Sequence, residues 1–191
     1  MVDVGAKAET AREARARVTL RMRPATLAAI RGGGVAKGDV LGVARLAGIM
    51  AAKRTAELIP LCHPLRLTGV DVDFVLDRAR SAIHVETAAR TVDKTGVEME
   101  ALTAAAGAGL AIYDMVKAID RGLVLTDLCL VEKSGGRSGH WVRPRAGRAS
   151  PASTSRRKKR GAESGARVMH GPGGGGQGGS GWDSPPDGRQ R

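Results

Sequence analysis

Aromatic residues are nearly missing from this sequence. Among 191 residues only Phe74, Tyr113, Trp141 and Trp182 carry aromatic rings. Any core must therefore be built from Val, Leu, Ile, Met and Ala. A sheet that reads RNA by stacking bases on rings is disfavoured, because only Phe74 falls on an expected strand. Cysteine is scarce too. Cys62 and Cys129 form no CxxC pair and no metal-ligand spacing, so they read as free thiols of a reducing compartment. No apolar run approaches the ~18 residues of a membrane span. No basic segment leads into an apolar stretch as in a secretory leader. A soluble, cytoplasmic protein is expected. Over residues 1–142 the Walker A spacing GxxxxGK[ST], the GxGxxG turn and metal-binding motifs are all absent, as is any internal repeat.

What is present is a body and a tail. The hydrophobic share, 42%, is enough for a core. The net charge of +12 is unevenly spread: from Arg143 onward eleven basic residues face three acidic ones, whereas the first 142 residues hold twenty against sixteen. The tail contains RRKKR (Arg156 to Arg160) and then GPGGGGQGG. It has almost no apolar periodicity, so 143–191 is expected to be a disordered basic, glycine-rich extension. RRKKR could bind a nucleic acid or another anionic surface, or be a solvated extension. A folded domain is expected over 1–142.

Within that body the periods change in a readable order. Residues 16–22 alternate, with Val18, Leu20 and Met22 on one face, as in a strand. Pro24 opens a short helix through Ile30, closed by Gly32 to Gly34. Helical spacing runs from Asp39, a suitable N-cap, to Leu58 before Pro60. Val70, Val72 and Phe74, a polar turn at Asp77 to Arg80, then Ile83 and Val85 predict a hairpin. Thr95 to Asp120 predicts a second long helix, with Thr95 and Glu98 at capping-box spacing and an alanine-rich middle. Residues 123–131 predict a last strand. This βαββαβ order is that of the ferredoxin-like α+β sandwich: an antiparallel sheet with helices on one face.

Four segments are more polar than a plain core requires. Lys37, in KGDV, sits beside a helix N-terminus, which suits an anion or simply an exposed lysine. In LIPLCHP two prolines stiffen a loop holding Leu61, Cys62 and His63. The histidine could contact a phosphate or move a proton, or be a satisfied structural residue. Cys62 is most simply a small buried hydrophobe. Asp114 and Lys117 share a helix face and form either an acid–base pair or a surface ion pair. Glu98 and Glu100 lie at the other end of that helix. Fourteen residues from Glu100 to Asp114 span roughly 21 Å. One small substrate cannot easily touch both ends, which points to a site shared between subunits. The loop KSGGRSG, from Lys133 to Gly139, could cradle phosphates.

Taken in order, MVDVGAKAETAREA, KGDVLGVARLAGIMAAKRTAELIPLCHPL, KTGVEMEALTAA, IYDMVKA and KSGGRSG resemble the cyclic pyranopterin monophosphate synthase family over residues 1–142. The resemblance implies a ferredoxin-like subunit in a homohexamer, a trimer of dimers with interface active sites. It implies conversion of 3′,8-cyclised dihydro-GTP to a cyclic pyranopterin phosphate with loss of pyrophosphate, in molybdenum-cofactor synthesis. By motif, Asp114, Lys117 and Lys37 would be catalytic. Leu61, Cys62, His63, Met99, Glu100, Glu98, Arg12, Lys53 and Lys133 would contact substrate. No cofactor and no dedicated metal site are expected; Mg²⁺ would enter, if at all, with the substrate's triphosphate. A membrane partner is not expected, nor a nucleic acid except through the tail. A nucleic-acid-binding module is the alternative reading. An inactive relative is a third, and the retained Lys37, His63, Asp114 and Lys117 argue against it. Three departures stand out: Gly5 replaces a usual Ser, Arg137 replaces a frequent Lys, and relatives usually carry a segment ahead of MVDV. An incomplete N-terminal edge is therefore expected.

Overall fold

Alternation of small and charged residues builds the longest strand. In a computed structural model describing residues 1–144, β1 runs Thr10–Arg21. Ala14, Ala16, Val18 and Leu20 are buried on one face, while Arg15, Arg17 and Arg21 are exposed on the other. The strand starts six residues earlier than the apolar alternation suggests, because alanine serves as its inward residue there. Of the expected 143–191 extension only Arg143 and Pro144 are described, and Arg143 is ordered against β4, its N–H donating to the Val131 carbonyl at 2.8 Å; the rest, RRKKR included, lies outside the described residues.

Helix α1 (Pro24–Arg31) follows, with proline in its first turn. Its start is held from a distance: the buried carboxylate of Asp120 accepts from Arg23 N at 2.9 Å and from Thr26 Oγ1 at 2.8 Å. Helix α2 (Val40–Lys53) begins at Asp39, whose side chain accepts from Gly42 N at 2.9 Å. It does not continue to Leu58. The chain breaks at Arg54 and resumes as the single turn α3 (Thr55–Leu58). The hydroxyl of buried Thr55 reaches back to the Ala52 carbonyl at 2.9 Å, the local side-chain bonding that competes with a helix ladder.

The hairpin is as expected, though longer: β2 (Leu67–Asp77) and β3 (Ala82–Asp93), with Ser81 at φ 50° closing the turn. Helix α4 is shorter than predicted, Glu98–Val116, and has no side-chain cap at its start. The capping box is therefore a misreading: Glu98 turns instead to Lys133. Strand β4 (Val124–Ser134) pairs with a two-residue strand, β5 (Trp141–Val142), that the sequence did not suggest.

The sheet order is β2-β3-β1-β4-β5, and every pairing is antiparallel. Without the short β5, this is the expected α+β arrangement. Helices α2 and α4 cover one face. Their axes come close because both carry small residues at the contact. A Cβ on Gly48 would lie 3.0 Å from the Ala104 carbonyl and 3.1 Å from Val72, and one on Gly107 would lie 2.6 Å from the Ala51 Cβ. The inward row of β1 meets Ala101, Ala105, Ala108 and Ile112 of α4. Fully buried Leu20, Ile83 and Ile112 anchor this core, each contributing roughly 1.5–3 kcal/mol by leaving water. Phe74 is only half-buried and is capped by the Arg45 guanidinium, 5.4 Å from its ring centre. No described helix is long and apolar enough to cross a membrane.

Candidate active site

Helix α4 presents charged clusters at its two ends. At the C-terminal end, Asp114 and Lys117 meet as their three-residue spacing requires, Nζ to Oδ1 at 2.7 Å. Lys37 joins them from the loop before α2. Its ammonium donates to Asp114 Oδ2 at 2.7 Å and to the Asp114 carbonyl at 2.9 Å. Lys37 thus faces a carboxylate across the fold rather than the start of α2. The Lys117 bond, then the Lys37 bond, hold the Asp114 carboxyl down at about 2. Asp114 in turn raises the Lys117 ammonium above its ordinary value. All three side chains are exposed, so the cluster can be reached by a ligand without opening the core.

At the N-terminal end, Lys133 of β4 donates to Glu98 Oε1 at 2.8 Å and to Ser138 Oγ at 3.0 Å. Arg12 of β1 donates from Nε to the Asp93 carbonyl at 2.9 Å and from a terminal nitrogen to the Lys94 carbonyl at 3.1 Å. The Glu98 carboxyl lies below its usual range. Burial opposes that shift and is the largest single influence; the Lys133 bond and the nearby Arg12 charge outweigh it. Gly135 and Gly136, both at positive φ, fold the KSGGRSG loop against β1. A side chain on Gly135 would collide with the backbone carbonyl of Ala11, so this close approach needs glycine.

Glu100 lies in the same first turn of α4 as Glu98 but faces elsewhere. It is buried, at 4% exposure, and lines a cavity of about 140 Å³ with Lys53, Arg54 and Pro64. Burial pushes its carboxyl above the ordinary value; its own backbone N–H opposes this, and Glu98 adds to it. Cys62 stands close enough to feel Glu100. Burial first, then that negative charge, push its thiol up, so it is held as a thiol rather than a nucleophilic thiolate. Leu61 is exposed, and His63 and Met99 are half-buried.

The expected residues therefore fall into separate groups: Lys37, Asp114 and Lys117; Arg12, Glu98 and Lys133; Glu100, Lys53 and Cys62. The residues separating Glu98 from Asp114 span roughly 24 Å of helix, and among the described residues no hydrogen bond or ion pair links the two end clusters. Ser138 was not singled out by sequence, although its glycine-rich loop was. Among the described residues no three His, Cys, Asp or Glu side chains converge as metal ligands.

Fold and clusters together define a class: a ferredoxin-like α+β subunit displaying lysine–carboxylate groups at both ends of its longest helix. A sequence model of the MoaC family matches residues 1–136, and the chain belongs to that family. It is 59% identical over 143 residues to a protein of Heliobacterium modesticaldum named cyclic pyranopterin monophosphate synthase, covering 75% of this chain and 90% of that one. Proteins of the same name from Pelotomaculum thermopropionicum and a Roseiflexus species are 61% identical over 143 residues and 62% over 142. Those matches cover 84% and 90% of the relatives, and 75% and 74% of this chain.

Proposed function

We propose that this chain converts (8S)-3′,8-cyclo-7,8-dihydroguanosine 5′-triphosphate to cyclic pyranopterin monophosphate and pyrophosphate, the synthase step of molybdenum-cofactor synthesis. The observation that carries the reading is Asp114 clamped between Lys37 and Lys117 in a chain of this family. A carboxylate fixed in its charged form keeps two ammonium groups aimed at one point. They can deliver protons during ring opening while Asp114 holds their geometry. Arg12 and Lys133 suit the triphosphate, because the departing pyrophosphate concentrates negative charge. Glu100, with Met99 beside it, suits the base, where a buried carboxyl can hold or accept a proton. Leu61, Cys62, His63 and Lys53 complete the pocket. No cofactor is required by these roles; Mg²⁺ would arrive with the triphosphate.

The assembly that fits is a cytoplasmic homohexamer, a trimer of dimers with shared sites. Two features support it. The clusters at the ends of α4 are too far apart for one small substrate, and α2 exposes Val43, Leu46 and Met50 at helical spacing. The folded unit is assigned to residues 1–142.

The test gives the purified protein fresh cyclised substrate and measures pyrophosphate together with the pterin, detected by fluorescence after oxidation. Both should appear in step and vanish in Lys37→Ala. Asp114→Asn should lower kcat by about 10²–10⁴-fold with substrate binding retained. Near-normal turnover in that variant would remove Asp114 from the mechanism.

A further inference from the structure

The sheet face opposite α2 and α4 holds a cavity of about 620 Å³ that shares no lining residue with the clusters described above. Its lining includes Arg17, Thr19 and Arg21 from β1, Arg80 and His84 from the hairpin, and Asp127 from β4. Arg17, Thr19 and Arg21 share this face because strand side chains alternate. Thr19 Oγ1 and His84 Nδ1 share a hydrogen bond of 3.0 Å that forms the floor.

Along this face the ion pairs gather toward the Glu13 end, where Arg17 also borders a cavity lined by Asp71, Asp73, Glu86 and Glu132, and they thin out toward Arg21. Arg15 pairs with Glu13 at 2.9 Å and Arg90 with Asp71 at 2.6 Å, the ion pairs that normally neutralise an open sheet face. Arg17 and Arg21 make no ion pair among the described residues. Arg21 stands opposite Ala82 on one side and Val124 on the other, so its register neighbours offer no carboxylate. Arg17 stands opposite Glu86, yet no ion pair forms between them. Arg80 is tied to Asp77 at 3.2 Å but is largely exposed and can turn inward. The one carboxylate in the wall, Asp127, belongs to a break in the β1–β4 register between Arg17 and Thr19, with φ 55°. Such bulges re-aim a side chain and widen a strand pair.

We propose that this cavity is a second anion site, taking a polyphosphate chain: an inorganic di- or triphosphate, or the phosphate tail of a nucleotide. Arg17 and Arg21 are four residues apart, roughly 13 Å along the strand. An extended anion lets both long side chains engage phosphates without either lying back along the strand. Guanidinium forks match successive phosphate groups, and the Thr19 hydroxyl lies between them.

The test is calorimetric titration of the full-length assembled protein with inorganic tripolyphosphate, repeated with ATP and GTP to separate the free anion from a nucleotide tail. Wild type should show two classes of site per chain. Arg17→Ala with Arg21→Ala should weaken one class by about 100-fold or more and leave the other unchanged, since two charged donors are lost. Arg17→Lys with Arg21→Lys should fall between, because charge remains without the fork. Asp127→Asn should tighten the same class several-fold, and asparagine tolerates the positive φ there. Turnover at saturating substrate should persist in the Arg17/Arg21 double variant, which shows that it folds and assembles. One class of site in wild type, unchanged binding in the alanine pair, or weaker binding in Asp127→Asn would each overturn the assignment. So would salt-dependent RNA binding that is lost in the alanine pair but not displaced by tripolyphosphate.

Discussion

Removing the Asp120 carboxylate should cost about 3 kcal/mol of stability. It is 3% exposed and accepts from Arg23 N at 2.9 Å and Thr26 Oγ1 at 2.8 Å, with the Arg23 guanidinium at 3.4 Å. A hydrogen bond to a charged group is worth about 1.5–3 kcal/mol. Two such bonds set an upper limit near 6 kcal/mol, and non-additivity with partial rehydration of the α1 start brings the expectation to roughly half. Asp120→Ala should therefore lower Tm by about 6–12 °C for a body of this size. Asp120→Asn keeps the shape and one acceptor, and should lose less. Thermal melts must be run at one protomer concentration, since self-association shifts Tm. The pH dependence has a definite sign. The Arg23 N–H, helped by Thr26, holds the Asp120 carboxyl below its ordinary 3.8. Its contribution is complete above that value and is lost as pH falls through the depressed one. The gap between wild type and Asp120→Ala should thus be flat from neutral pH to about 5 and narrow below 4. A variant within about 0.5 kcal/mol of wild type, or a gap unchanged at pH 3, would refute the reasoning.

Glu100→Gln should act in the opposite direction. Its carboxyl is raised by burial, so folding favours the protonated form, and the carboxylate weakens the fold as pH rises through the raised value. The variant should melt higher than wild type at pH 7.5 and equally at pH 4, while losing activity; a lower melting temperature at pH 7.5 would contradict the burial argument. Gly48→Ala gains about 1 kcal/mol of helix propensity but meets atoms at 3.0, 3.1 and 3.2 Å on three sides. Overpacking costs about 1–3 kcal/mol, so net destabilisation is expected in urea melts, and a more stable variant would show that the α2–α4 contact can yield.

Most of the fold was legible because its signals were periodic. The alternation of Val18 and Leu20, the Asp39 cap and the hairpin all rest on local chemistry. What failed rested on residues with two available roles. Glu98 has the spacing of a helix cap, yet its carboxylate is taken by Lys133, 35 residues further along the chain, and no local pattern reveals that competition. The break at Arg54 lacks glycine or proline and depends on the Thr55 hydroxyl bonding backward. The first half of β1 was hidden because Ala14 reads as weakly apolar and becomes a core residue only under the alanines of α4. Asp120 looked like the tail of a helix and is instead the anchor of another. Of the site, the Asp114–Lys117 pair followed from spacing alone, whereas the Lys37 contact, 77 residues away in sequence, needed the fold.

The division of the site carries its own electrostatic logic. Lys37 and Lys117 against Asp114 leave one net positive charge at one end of α4, and Arg12 and Lys133 against Glu98 leave one at the other. Neither cluster alone offsets a triphosphate. Each can nevertheless stay folded and hydrated in an isolated chain, because its carboxylate screens the cations. Concentrating all four cations at one end of α4 would have cost stability through mutual repulsion. Placing them at opposite ends of a 19-residue helix would, in the proposed assembly, defer that cost until two chains and the substrate meet, when the phosphates would supply the missing negative charge. In the proposed assembly, anion binding and the approach of two subunits therefore reinforce each other, and the spacing along α4 does as much for the site as the identity of any one residue in it.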